Sequence, residues 1–175
     1  RGDKDVDAAR HEVDLAVETI TQIHEALSRF AAPPLVRRIE HASEVPPYVV
    51  SAIAAAGATV VTQPGFLYER GERYLVAAAD GGPAPSWLYP LRSLLGAGLN
   101  VAAGSDAPYG PHRPLDSMAA AVSRLSRDGM PVGPEQSVTV DQALRMFGPA
   151  SAAAESLLRE RGTLTPGKVA DFVVL

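Results

Sequence analysis

The sequence contains no cysteine in 175 residues, which removes structural disulfides, thiol nucleophiles, zinc fingers and iron–sulfur clusters in one step. That absence fits a reducing compartment, so a cytoplasmic location is expected. Long apolar runs are also missing. No stretch approaches the roughly 18 consecutive apolar residues that a bilayer-spanning helix needs. Arg1-Gly2-Asp3-Lys4-Asp5 leads into no apolar targeting core, so neither a membrane span nor a secretory leader is expected. Positive charge is not in excess: 16 Lys and Arg against 20 Asp and Glu leave a net charge of −4. The basic footprint of a nucleic-acid or anionic-membrane partner is therefore absent. Several chemical motifs fail on one residue. There is no phosphate-cradling Gly-x-x-x-x-Gly-Lys-Ser/Thr, and Gly96-x-Gly98 lacks its third glycine. His11-Glu12 meets Leu15 where a zincin needs its second histidine, and Gly104-Ser105 lacks the later glycine of a nucleophile elbow.

What is present is globular. Hydrophobic residues make up 46% and charged residues 21%, and the 15 Gly and 15 Pro are dispersed without a period. Val13, Val17, Ile20, Ile23, Leu27 and Phe30 recur at three- and four-residue steps, which predicts a helix over about 5–30 that Pro33-Pro34 stops. A strand follows over 35–41. Pro46-Pro47 opens a helix carrying Tyr48 to Ala56, and Gly57 closes it. The β-branched run 58–62 reads as a second strand. Residues 66–86, interrupted by Gly81-Gly82-Pro83 and Pro85, read as a long loop, and 87–97 as a helix. Residues 99–104 form a third strand running into Ser105-Asp106-Ala107-Pro108. Further helices are expected over 114–127, from the Thr139/Gln142 capping box to Met146, and over 150–161. The turn Thr165-Pro166-Gly167-Lys168 leads to a closing strand over 172–175.

Alternating helices and strands specify an α/β fold with a parallel sheet. A full eight-unit barrel needs ~250 residues, and the pattern opens on a helix and stops inside a strand, so both ends look cut. In such sheets, reactive groups sit where strands end. Those ends are Glu40-His41, Gln63-Pro64 and Ser105-Asp106. His41 is a candidate metal ligand, and Asp106 a ligand, a general base, or both. Each also has a structural reading: a hydrogen-bonded strand-end histidine, and an aspartate forming a turn before Ala-Pro. Side chains alternate along a strand, so Glu40 and His41 should not share a face, which disfavours a glycosidase pair of Glu40 with Asp106. His112, in the loop after Asp106, is a candidate substrate contact.

Arg38-Ile39-Glu40-His41-Ala42, then Gln63-Pro64, then Gly104-Ser105-Asp106-Ala107-Pro108, resemble the amidohydrolase superfamily, and within it the branch called amidohydrolase family 3, or YtcJ-like. The tail Gly162 to Leu175 resembles that superfamily's return strand into a small β-sandwich. The resemblance implies the carboxyl-terminal half of a (β/α)8 TIM barrel, about strands six to eight with their helices. Residues 1–161 would be a partial barrel domain, and 162–175 the start of the sandwich. His41 would be the metal-binding histidine ending strand six, and Asp106 the metal-binding and catalytic aspartate ending strand eight. Gln63, Tyr109 and His112 would meet the substrate, with the loops 66–86 and 109–113 lining the pocket. The implied cofactor is a divalent metal, zinc first, and the implied reaction is hydrolysis of amide-like C–N bonds other than peptide bonds. A metal lowers the pKa of its water to ~7, and Asp106 would take that water's proton and pass it to the leaving nitrogen.

The His-x-His of the superfamily's first strand has no counterpart here, and Met146-Phe147-Gly148-Pro149-Ala150 departs from its usual threonine-containing stretch. The metal site is therefore expected to be incomplete and this chain inactive alone, with self-association through open sheet edges. The alternative is a self-sufficient, non-catalytic α/β module that binds a small molecule.

Overall fold

A computed structural model describes residues 37–174. The helix expected over 5–30, with His11 and His24, lies outside the described residues, as do Leu35, Val36 and Leu175. Three short strands form the sheet: β1 (Arg38–Glu40), β2 (Thr59–Thr62) and β3 (Val101–Ala103). All neighbours are parallel and their order in space is their order in the chain. That is a singly wound arc with no reversal of winding. The register sets Ile39, Val60 and Val101 in one row, and Thr62 beside Ala103 in the next.

The helices are placed by proline and by apolar spacing. Pro46, extended at φ −60° and ψ 154°, precedes α1 (Pro47–Ala55), whose first position needs no amide donor. Its buried Val49, Val50 and Ile53 join one core cluster with Val60 and Val101 of the sheet and with Leu91 and Leu94 of the following helix, and those four are at most 1% exposed. Side chains buried this completely contribute about 1.5–3 kcal/mol each. Helix α2 (Gly65–Ala79) and α3 (Leu91–Gly96) follow β2, and α4 (Pro114–Ser123) follows β3 and packs along α2. Thr139 and Gln142 form the expected capping box at α5 (Val140–Phe147). Helix α6 (Pro149–Ala154) lies against β3, where Asn100 Nδ2 donates to Ala150 O at 3.1 Å.

Several expected elements differ. Residues 66–86 are not a long loop: 65–79 form the 15-residue α2. Phe66, Leu67, Arg70, Tyr74 and Leu75 carry a helical spacing that Gly65 and Gly71 obscure. The helix expected over 87–97 is split into a 3-10 turn (Pro85–Trp87) and α3, because Tyr89 is left-handed (φ 44°) and Pro90 cannot continue a helix. Helix α4 ends at Ser123 rather than 127, since Arg124 is left-handed (φ 55°) and turns into the core. Helix α6 stops at Ala154 rather than 161, followed by left-handed Ser156. No strand forms over 172–174, where Phe172, Val173 and Val174 are exposed and no described strand pairs with them.

Candidate functional site

The carboxyl ends of the three strands converge. His41 leaves β1 with its amide donating to Val61 O at 2.7 Å, and Gly104 leaves β3 with its amide donating to Thr62 O at 3.0 Å. The loops after β1 and β3 are thus anchored on the same central strand. His41 (φ 68°), Ala42 (φ 43°), Tyr89 (φ 44°) and Asp106 (φ 52°) are four of the six left-handed non-glycine residues described. Such backbone collects where surrounding structure over-determines it, commonly at functional sites.

Gln63 follows β2 and is 5% exposed. Its Oε1 lies 3.1 Å from His41 Nδ1. An amide oxygen only accepts, so the tautomer that makes this hydrogen bond carries its proton on Nδ1, and in that neutral tautomer Nε2 keeps its lone pair. Metal-binding imidazoles are commonly held in this way by a carbonyl acceptor on the far nitrogen. Asp106 O accepts from the amides of Tyr109 (2.8 Å) and Gly110 (3.2 Å). The backbone of Asp106 therefore forms the turn foreseen for it, while its half-buried carboxylate has no hydrogen bond or ion pair among the described residues. Gly110 is required here: a Cβ on it would stand 2.3 Å from Ser105 O.

The other sequence candidates divide. Glu40 is ion-paired with Arg38 at 2.8 Å, which uses its carboxylate and removes the glycosidase pairing with Asp106. Tyr109 takes part through its backbone, and the residue is 72% exposed. His112 lines an apolar depression with Met118, Leu144 and Phe147, between α4 and α5.

The sequence reading missed a wall beside this site. Phe66, Arg70 and Tyr74 recur every four residues on α2, and Tyr89 packs against both rings, at 6.5 Å from Phe66 and 6.2 Å from Tyr74. The Tyr74 and Tyr89 hydroxyls are 3.1 Å apart. Burial, then the Tyr74 hydrogen bond, raise Tyr89 far above the ordinary phenol range, so it remains protonated; Arg70 and Asp106 also act on it electrostatically. The four-residue spacing was the available signal. Behind this wall, buried Arg124 donates to Tyr89 O and Leu88 O, each at 2.8 Å.

A divalent metal would find two suitable donors at this end, the bare His41 Nε2 and the unpartnered Asp106 carboxylate. They fit as part of a ligand set, since no group of three His, Cys, Asp or Glu gathers among the described residues.

The family model described as "Amidohydrolase family" matches residues 3–175. N-substituted formamide deformylase of Arthrobacter pascens is 32% identical over 160 residues, covering 91% of this chain and 29% of that protein. A solved structure of an uncharacterized metal-dependent hydrolase from Pyrococcus furiosus superposes with a TM-score of 0.68 at 25% identity, over 90% of this chain and 30% of the other. A mutant atrazine chlorohydrolase from Arthrobacter aurescens, complexed with zinc and atraton, matches with a TM-score of 0.50 at 25% identity, over 77% of this chain and 26% of its own. The chain thus spans less than a third of the length of each of these proteins.

Proposed function

The chain belongs to the amidohydrolase family, and from that membership we propose that it supplies the His41–Gln63–Asp106 part of a metal-dependent hydrolase acting on amide-like C–N bonds of small molecules, other than peptide bonds. The observation that supports this is the His41 Nδ1–Gln63 Oε1 contact at the end of β1, on the same side of the sheet as Asp106, whose segment after β3 is anchored to the same central strand. Residues 1–161 would be the barrel portion, about strands six to eight, and 162–175 its exit segment. The set of two donors is then a share of the site, and this chain alone would be inactive.

His41 Nε2 and the Asp106 carboxylate would hold the metal, zinc first, which when bound lowers the pKa of its water to about 7. Asp106 would take the proton of the attacking water as its oxygen adds to the amide carbon. The same carboxyl then delivers that proton to the nitrogen as the C–N bond breaks, returning to its charged form. Gln63 keeps the imidazole proton on Nδ1 and the ring in one orientation. Phe66 and Tyr89 present an apolar wall that limits competing water.

The test is hydrolysis of small formamides and amides by the full encoded polypeptide charged with zinc, followed as released carboxylate. Asp106→Asn removes the base at nearly constant volume and should lower kcat by about 10²–10⁴-fold with an unchanged circular-dichroism spectrum. A variant that keeps the wild-type kcat would show that Asp106 is not the base.

A further inference from the structure

The wall beside Asp106 carries a cation that nothing in the described chain neutralises. Arg70 lies with its guanidinium 4.0 Å from the centroid of the Phe66 ring, and its Nη2 donates to Tyr109 O at 3.4 Å. It enters none of the described ion pairs. Its acidic neighbours on α2 are committed elsewhere: Glu69 to Arg127, and Glu72 to the amide of Asp128 at 2.9 Å. Arg73 also lacks a described partner, but it is exposed and solvated. Arg70 is instead half-buried, held on an aromatic face, and linked through Tyr109 to the turn of Asp106. A planar guanidinium pre-positioned on an aromatic ring loses little freedom when it pairs with a carboxylate. Beside it, the Tyr74–Tyr89 pair offers hydroxyl hydrogen directed by a hydroxyl partner, and Tyr89 is 2% exposed.

We propose that Arg70, supported by Phe66 and flanked by the Tyr74–Tyr89 hydroxyl pair, binds an anionic group of the substrate, so that the favoured substrates are amides carrying a carboxylate away from the scissile bond. This rests on the hydrolase reading of His41 and Asp106 for the word substrate, but the anion subsite itself lies wholly in the described residues. A pre-placed cation discriminates against a ligand of the same shape that lacks the charge, because the guanidinium is then left without its partner.

The probes are N-formylglycine and its neutral counterpart N-formylglycinamide, titrated into the isotopically labelled 175-residue chain and followed by nuclear magnetic resonance. N-formylglycine should give saturable shifts at the Arg70 side chain and along 66–74, and bind at least about tenfold more tightly than the amide, a difference of ~1.4 kcal/mol. Arg70→Met should erase the difference, and Arg70→Lys, which keeps the charge, should retain part of it. Equal binding of the two probes, shifts confined to other residues, or a preference that survives in Arg70→Met would each overturn the proposal. Hydrolysis of the same pair by the full encoded polypeptide separates the two ideas. Turnover without carboxylate preference leaves the hydrolase and removes the anion subsite. Preferential binding of N-formylglycine without turnover of either probe leaves the subsite and removes the hydrolase.

Discussion

Gln63 decides where the lone pair of His41 points. It is buried, it follows the central strand, and its Oε1, 3.1 Å from Nδ1, favours the tautomer protonated there. Gln63→Leu keeps the volume and removes the acceptor, freeing the ring to rotate and to exchange tautomers. The expected outcome in the full polypeptide is a loss of zinc affinity of about 10–100-fold, measured by competition with a chromophoric chelator, whereas Gln63→Glu, a stronger acceptor, should hold affinity near wild type. Unchanged affinity in Gln63→Leu would mean that the imidazole is oriented by something else. At this scale the strand-end rule made His41, Gln63 and Asp106 legible from sequence, because strand ends follow from β-branched runs and their stops. Arg70, like Arg73 and Arg113, reads from sequence as an arginine able to bind a carboxylate, with solvation the stronger reading; Tyr74 and Tyr89 were not legible, because Tyr74 belongs to a helix whose glycines read as breakers and Tyr89 owes its place to a left-handed backbone that no tyrosine announces.

The elements are held to that geometry by Arg124, the left-handed residue that ends α4. Its side chain is fully buried and donates to four carbonyls: Nε to Val132 O (2.8 Å) and Gly133 O (3.1 Å), Nη1 to Tyr89 O (2.8 Å) and Nη2 to Leu88 O (2.8 Å). Burial lowers its pKa to about 10, partly offset by Glu135, so it stays charged at neutral pH. One guanidinium thus ties the segment entering α3 to the loop after α4. The segment is gripped from the other side as well, where the Tyr89 amide donates to Ser43 O at 2.8 Å, two residues after His41. Arg124→Met leaves four buried carbonyls without donors and should cost about 3 kcal/mol or more, lowering Tm by on the order of 10 °C in a thermal melt. A shift of only a degree or two would mean that water replaces the guanidinium. Sequence read α4 straight through this residue. Arginine is a good helix former, and what ends the helix is a set of carbonyls distant in sequence, invisible to local propensity. The capping box at Thr139 was legible because both of its partners lie within one turn.

For the molecule as a whole, three parallel strands in chain order, with α6 packed against β3, place His41, Gln63 and Asp106 at one end of the sheet among the described residues. Parallel order was legible from the alternation of helices and strands; the full ligand set of the proposed metal was not, since ligation depends on residues brought together in space. A catalytic zinc site commonly takes three protein ligands and a water. Two donors alone bind weakly, since each supplies only part of the free energy that a complete set provides. Zinc titrated into the 175-residue chain should therefore bind weakly and be lost on dialysis, and His41→Ala should abolish what binding remains. In the full encoded polypeptide the same substitution should lower zinc content well below one per chain. Tight stoichiometric binding by the 175-residue chain, lost in His41→Ala, would mean that residues 1–36, which include His11 and His24, complete the set. Tight binding that survives His41→Ala would place the metal away from the strand ends altogether, and with it the chemistry assigned to Asp106.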